Sequence, residues 1–86
     1  MNINELIAIV KDKIESEVKV ESIKIEDKTF LHKSHKGYQA GKFHIKIFLE
    51  SKELKDMNKI ESNKKIFEIL NYEIKNFIHS IQILIR

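Results

Sequence analysis

The hydrophobic periodicity of this chain predicts an α+β domain, a three-stranded mixed sheet with helices on one face in the order αββααβ. Three observations carry that expectation. Two stretches of helical period each open on an Asn-x-x-Glu, three other stretches alternate with period two, and the 86 residues contain no proline and two glycines, Gly37 and Gly41. Both glycines fall between the first two alternating runs. Nothing in the sequence therefore interrupts an element from within.

The first helix runs from Asn2 to about Glu17, with Ile3, Leu6, Ile7, Val10 and Ile14 at helical spacing. Asn2 followed by Glu5 resembles a capping box. Val18 and Val20, then Ile23 and Ile25, alternate with charged residues, but the parity changes at Ser22. A one-residue slip exchanges the faces of a strand, so the strand is placed at Ser22 to Glu26 with a bend before it. Asp27 to Phe43 holds both glycines, His32 and His35 and no hydrophobic period, and reads as a loop. A loop this long in a small domain is usually functional.

From Lys42 the alternation returns, with Phe43, Ile45, Ile47 and Leu49 on one face and His44, Lys46, Phe48 and Glu50 on the other. This is a second strand, antiparallel to the first. Ser51 to Met57 allows one helical turn. Asn58 with Glu61 repeats the capping pattern, and Ile60, Ile66, Phe67, Leu70 and Ile74 predict one long amphipathic helix to about Lys75. Finally His79, Ile81, Ile83 and Ile85 alternate with Ile78, Ser80, Gln82 and Leu84 in a last strand. This parity puts His79 on the face of Ile81. Helices over one face of the sheet then satisfy both amphipathic patterns.

Composition bounds the function. A chain of 86 residues that is 42% hydrophobic makes one domain, residues 1–86, and buries roughly 60 to 65% of its unfolded surface. The longest apolar stretch, Phe77 to Ile85, includes His79 and Gln82 and is far shorter than the roughly 20 residues that cross a bilayer. The start, MNINELIAIVKDK, has no basic leader and carries Glu5 and Asp12, so a cytoplasmic protein with no membrane partner is expected. There is no cysteine, so any thiolate ligand must come from a partner or a small molecule. The net charge of +3 rests on lysine, with Arg86 the one arginine, and a lysine surface without arginine lacks the bidentate contacts of a dedicated sequence reader.

The four histidines carry most of the chemistry. Neutral imidazole binds borderline metals, and His32 and His35 stand in the loop while His79 begins the last strand. His79 could serve as a structural strand-end residue or as a fixed ligand completed by a loop histidine. His44, opposite the apolar stripe, could face solvent or act as a group that fixes the tautomer of another imidazole. No nucleophile is paired with a base and no glycine loop cradles phosphate, so an enzyme is not expected. A KH-type nucleic-acid clamp would need a GxxG turn between its helices, where this chain reads KDMNK from Lys55 to Lys59.

The run IEDKTFLHKSHKG, the strand FHIKIFLES and the terminal IHSIQI, in this order and at these separations, resemble the BolA family over roughly Leu6 to Ile85. The resemblance implies a fold related to the class II KH domain, with the same αββααβ order. It also implies a partner, a monothiol glutaredoxin, with which BolA-like proteins share a bridged two-iron two-sulfur cluster in iron-sulfur delivery or iron signalling. The glutaredoxin side brings cysteine and glutathione thiolates and the BolA side brings histidine, so no cofactor is expected on the isolated chain. The family's C-terminal histidine falls on His79 and its loop histidine on His32, with His35 as the substitute ligand. Histidine in place of thiolate should raise the reduction potential, and because imidazole must be neutral to bind, acid should favour cluster loss.

One segment departs from the family. Where BolA proteins commonly carry an Arg-His-Arg-like run at the start of the long helix, this chain has Ser62, Asn63 and Lys64. DNA binding through a helix-turn-helix-like region, the alternative function, would rest on Lys59, Lys64 and Lys65 as point charges. A metal module acting alone is disfavoured, since structural zinc usually wants four ligands that close the site.

Overall fold

The computed structural model of the protein describes residues 1–29 and 42–86. Its elements are α1 (Ile3–Glu17), β1 (Ser22–Asp27), β2 (Phe43–Glu50), α2 (Lys52–Lys55), α3 (Lys59–Ile69), α4 (Asn71–Asn76) and β3 (Ile78–Ile85). The sheet has the order β1-β2-β3, with β1 antiparallel and β3 parallel to the central β2. The predicted α+β class with a three-stranded mixed sheet is the observed one.

Both predicted caps form. Asn2 Oδ1 accepts the Glu5 N–H at 2.8 Å while its Nδ2 donates to Glu5 Oε1, also at 2.8 Å. Asn58 and Glu61 repeat the arrangement at 2.8 and 2.9 Å. Each cap satisfies a donor that the first helical turn would otherwise leave orphaned. A third cap was not read from the sequence. Ser51 Oγ accepts the Leu54 N–H at 3.2 Å and donates to the Lys19 carbonyl at 2.8 Å, which joins the start of α2 to the segment before β1.

The core lies between the helices and one face of the sheet. Leu6, Val10 and Ile14 of α1 meet Ile45, Ile47 and Leu49 of β2, together with Leu54, Ile66, Leu70 and Ile78. Ile23 and Ile25 of β1 are half-buried against the same cluster, so the parity placed at Ser22 is correct. Full burial of each such aliphatic side chain stabilises the fold by about 1.5 to 3 kcal/mol.

Three sequence expectations need correction. The long helix from Asn58 to Lys75 is two helices, because Leu70 has φ −99° and ψ 15°, outside the helical region. Leu70 remains fully buried there, so the break redirects the chain toward β3 without exposing an apolar residue. Nor do all the residues assigned to the apolar face lie inside. Ile60 is 81% and Phe67 41% exposed, while Ser62, Ile66 and Leu70 are buried. The core-facing stripe of α3 begins at Ser62, and Ile60, two residues earlier, projects away from it.

The third correction concerns β3. Phe43 pairs with Ile78 and His44 pairs with Ser80, so β3 advances two residues while β2 advances one. His79 is the extra residue of a β-bulge. Strict alternation would put His79 inward with Ile81, Ile83 and Ile85. The bulge reverses that: Ile78 is buried at 3% exposure and His79 is exposed. Ile78 and Ile81 can then both reach the core although they are three residues apart.

Candidate histidine site

The site is built where β1 ends, β2 begins and β3 bulges. Asp27 Oδ1 accepts both the backbone N–H of Thr29, at 2.9 Å, and its hydroxyl, at 2.5 Å. This is the local turn that aspartate forms with the backbone two residues on. The same Thr29 hydroxyl accepts the His44 N–H at 3.2 Å, and the Lys28 N–H donates to the His44 carbonyl at 2.7 Å. Both backbone polar groups of His44 are therefore engaged from the end of β1. Thr29 is 8% exposed, so its hydroxyl is a buried polar group with its partners in place.

The imidazole of His44 is held from the other side. Its Nδ1 lies 2.6 Å from Ser80 Oγ, its register partner on β3. Of the two expectations for His44, solvent exposure is excluded, since the residue is 4% exposed. A short hydrogen bond to one ring nitrogen fixes ring orientation and sets which nitrogen carries the proton. The ring of His79 sits beside it, with centroids 4.7 Å apart and planes tilted by 50°. The parallel register and the bulge together bring the two histidines side by side, one buried and anchored, the other exposed.

The base of β3 is tied down independently. The Phe43 N–H donates to the Phe77 carbonyl at 2.9 Å, and the Phe77 N–H to the Glu73 carbonyl at 2.8 Å. Glu73, with 4% side-chain exposure, accepts a hydrogen bond from Lys13 Nζ at 2.7 Å, so α1 fastens α4 just ahead of the bulge. At the other margin, Lys28 and Lys24 approach Glu26 at 3.2 and 3.5 Å. The hydrogen bond from Lys28 leads in holding the Glu26 carboxyl below its ordinary value.

His32 and His35 lie outside the described residues, so of the proposed ligands only His79 is placed here. Among the described residues no three His, Asp or Glu side chains converge on one point suited to a metal ion. What the described residues do offer is one exposed imidazole on a β-bulge, backed by a second imidazole whose Nδ1 is engaged. Sequence reading missed Thr29 and Ser80. Asp27-x-Thr29 was legible as a turn signature, whereas Ser80 becomes significant only once the parallel register sets it opposite His44.

The lysines of the alternative function do not form one patch. Lys59 and Lys64 are exposed on α3 and Lys65 is half-buried. Lys59 borders a groove beside β3, and Lys65 borders a cleft against α1 with Lys13, Ser16 and Glu17. Among the described residues no helix is long and apolar enough to cross a membrane.

Known proteins place this arrangement. The chain is 29% identical over 73 residues to the DNA-binding transcriptional regulator BolA of Haemophilus influenzae, covering 85% of this chain and 68% of that protein. Its fold matches BolA1 from Arabidopsis thaliana with a TM-score of 0.75 at 21% identity, over 92% of this chain and 87% of that one. It matches the BolA domain of SufE1 from Arabidopsis thaliana with a TM-score of 0.78 at 17% identity, over 100% and 93%. The BolA-like protein family itself matches residues 14–86, from the last turn of α1 through the whole sheet and both histidines of the site, and the chain belongs to that family.

Proposed function

We propose that this chain partners a monothiol glutaredoxin and that the two share a two-iron two-sulfur cluster, used in iron-sulfur delivery or iron signalling. The observation that supports this reading is His79, an exposed imidazole on a β-bulge whose neighbour His44 is buried and bonded to Ser80. Bulges re-aim side chains at functional sites, and a strand-borne ligand is held more firmly than one on a loop. The donor set suits the group, since imidazole replaces thiolate on iron in known two-iron two-sulfur centres. His79 would supply one ligand from this chain and His32, or His35 in its place, the other, with cysteine and glutathione thiolates from the glutaredoxin side. When bound, the cluster supplies one-electron chemistry. His44 acts through position: its ring packs on His79 and its own orientation is set by Ser80. In this reading the chain is a non-enzymatic partner and the isolated protein carries no cofactor.

Titration of the protein with a cluster-loaded monothiol glutaredoxin, followed by visible absorption and circular dichroism, tests the reading. A saturating change that His79→Ala abolishes and His32→Ala diminishes is expected. An unchanged spectrum in the wild-type mixture would remove the proposal. The name of the Haemophilus influenzae relative favours a second reading, DNA binding through Lys59, Lys64 and Lys65. It requires affinity that falls steeply with salt and, beyond charge, preference for one duplex sequence over another.

A further inference from the structure

The far end of β3 carries a different surface. β3 is an edge strand, paired on one side with β2 and flanked by no other strand among the described residues. Edge strands are usually protected from further pairing by lysine, proline or a bulge. The segment Ile81 to Ile85 has none of these, since the bulge lies at His79 and the residues read IQILI. Alongside it runs a groove of about 360 Å³ between β3 and the α2–α3 turn, floored by Leu54, Met57, Ile83 and Ile85. Lys55 and Lys59, both exposed, stand at its rim, and among the described residues no acidic side chain lines it.

We propose that this groove and edge take an extended acidic-aliphatic peptide segment of a partner protein, added as a fourth strand beside β3. Each feature selects the occupant. The open edge presents backbone donors and acceptors at the spacing of another strand, the mode in which peptides extend a sheet. Side chains on the helix-facing side of the added strand would enter the aliphatic floor, and the two lysines, borne on α2 and α3 on that same side, favour carboxylates two residues along the strand from the aliphatic ones. A single-stranded nucleic acid fits less well, because among the described residues no aromatic side chain lines the groove to stack a base and the turn reads KDMNK without glycine. A second copy would supply another lysine rim where carboxylates are needed. The groove floor at Ile83 and Ile85 lies four and six residues along β3 from His79, about 13 and 20 Å, and His79 does not line it.

A fluorescein-labelled nine-residue peptide, Thr-Val-Thr-Glu-Thr-Val-Thr-Glu-Thr, which sets valine and glutamate on one face of a strand, is the probe, with binding read by fluorescence anisotropy. Saturable binding is expected, weakened at least tenfold by Lys55→Glu with Lys59→Glu and unchanged by His79→Ala. Methylating the peptide's odd or even backbone amides should abolish binding in one phase and spare it in the other. Circular dichroism of the lysine variant checks that it folds, which two exposed positions permit. The proposal is overturned by absence of saturable binding, by equal binding of both methylated peptides, or by indifference to the lysine reversal. It is equally overturned if a twelve-nucleotide thymidine strand binds more tightly with the same lysine dependence, or if the protein dimerises in sedimentation through β3.

Discussion

The two ends of β3 follow different rules. At its C-terminal end Ile81, Ile83 and Ile85 alternate inward and pack on the helices with the regularity of an ordinary half-buried strand. At its N-terminal end one extra residue interrupts that regularity, and the residue is His79. Removing it on paper leaves Ile78, Ser80, Ile81, Gln82 and Ile83, an unbroken alternation with every isoleucine on the core face. The bulge therefore sets one imidazole outside the core, while the alternation beyond it serves the core. A local irregularity that packing does not require points to a site.

The contrast can be broken first at the regular end. Inserting alanine between Gln82 and Ile83 would turn Ile83 and Ile85 to the open face of the sheet. Since both are half-buried against the core, roughly 2 to 4 kcal/mol of stability should be lost. Urea unfolding measures it, and an unmoved midpoint would show that this end does not depend on its alternation.

At the irregular end Ser80→Ala removes the hydroxyl, on an exposed residue, that bonds Nδ1 of the buried His44. The expected loss is about 0.5 to 1.5 kcal/mol. Thermal unfolding reports that loss, and the chemical shifts of the His79 ring should move with it, because the two rings are in contact. Unshifted His79 resonances would separate the two histidines.

Deleting His79 sharpens the comparison further. The strand becomes regular, so stability should stay within about 1 kcal/mol of wild type, well below the cost of losing core contacts. The spectral response to cluster-loaded glutaredoxin should nevertheless disappear. A deletion variant that fails to fold would mean that the bulge is structural.

The smallest effect lies at the margin of the site. Lys28, by hydrogen bonding, holds the Glu26 carboxyl below its ordinary value, with Lys24 contributing. A depressed carboxylate contributes stability that is complete above its unfolded pKa and is lost as pH falls through the folded one. Lys28→Ala should raise the Glu26 pKa toward its ordinary value and flatten the acid limb slightly, as NMR titration of the Glu26 side chain would record. With Glu26 at the protein surface, the change in overall stability should be slight.

Much of the fold was legible because single side chains encode it. Asn2 and Asn58 mark helix starts since each caps the turn three residues on, and β2 declares both its faces by strict alternation. The break at Leu70 was hidden, because a residue that stays buried keeps the helical hydrophobic pattern while its backbone leaves the helix. The site was half legible. His44 and His79 stood out as residues, but their contact depends on β2 and β3 pairing in parallel across 34 residues of intervening chain, which no local pattern reports.

The sequence by itself determined where elements begin, which faces are apolar, and that this chain brings no thiolate of its own to any metal chemistry. These properties depend on residues within a few positions of one another or on composition alone. Tertiary structure decided which way His79 points, that His44 is enclosed and bonded to Ser80, and which lysines share a groove. Those outcomes depend on strand register, and register is settled by the collective burial of Ile45, Ile47, Leu49 and Ile78 rather than by any residue at the site.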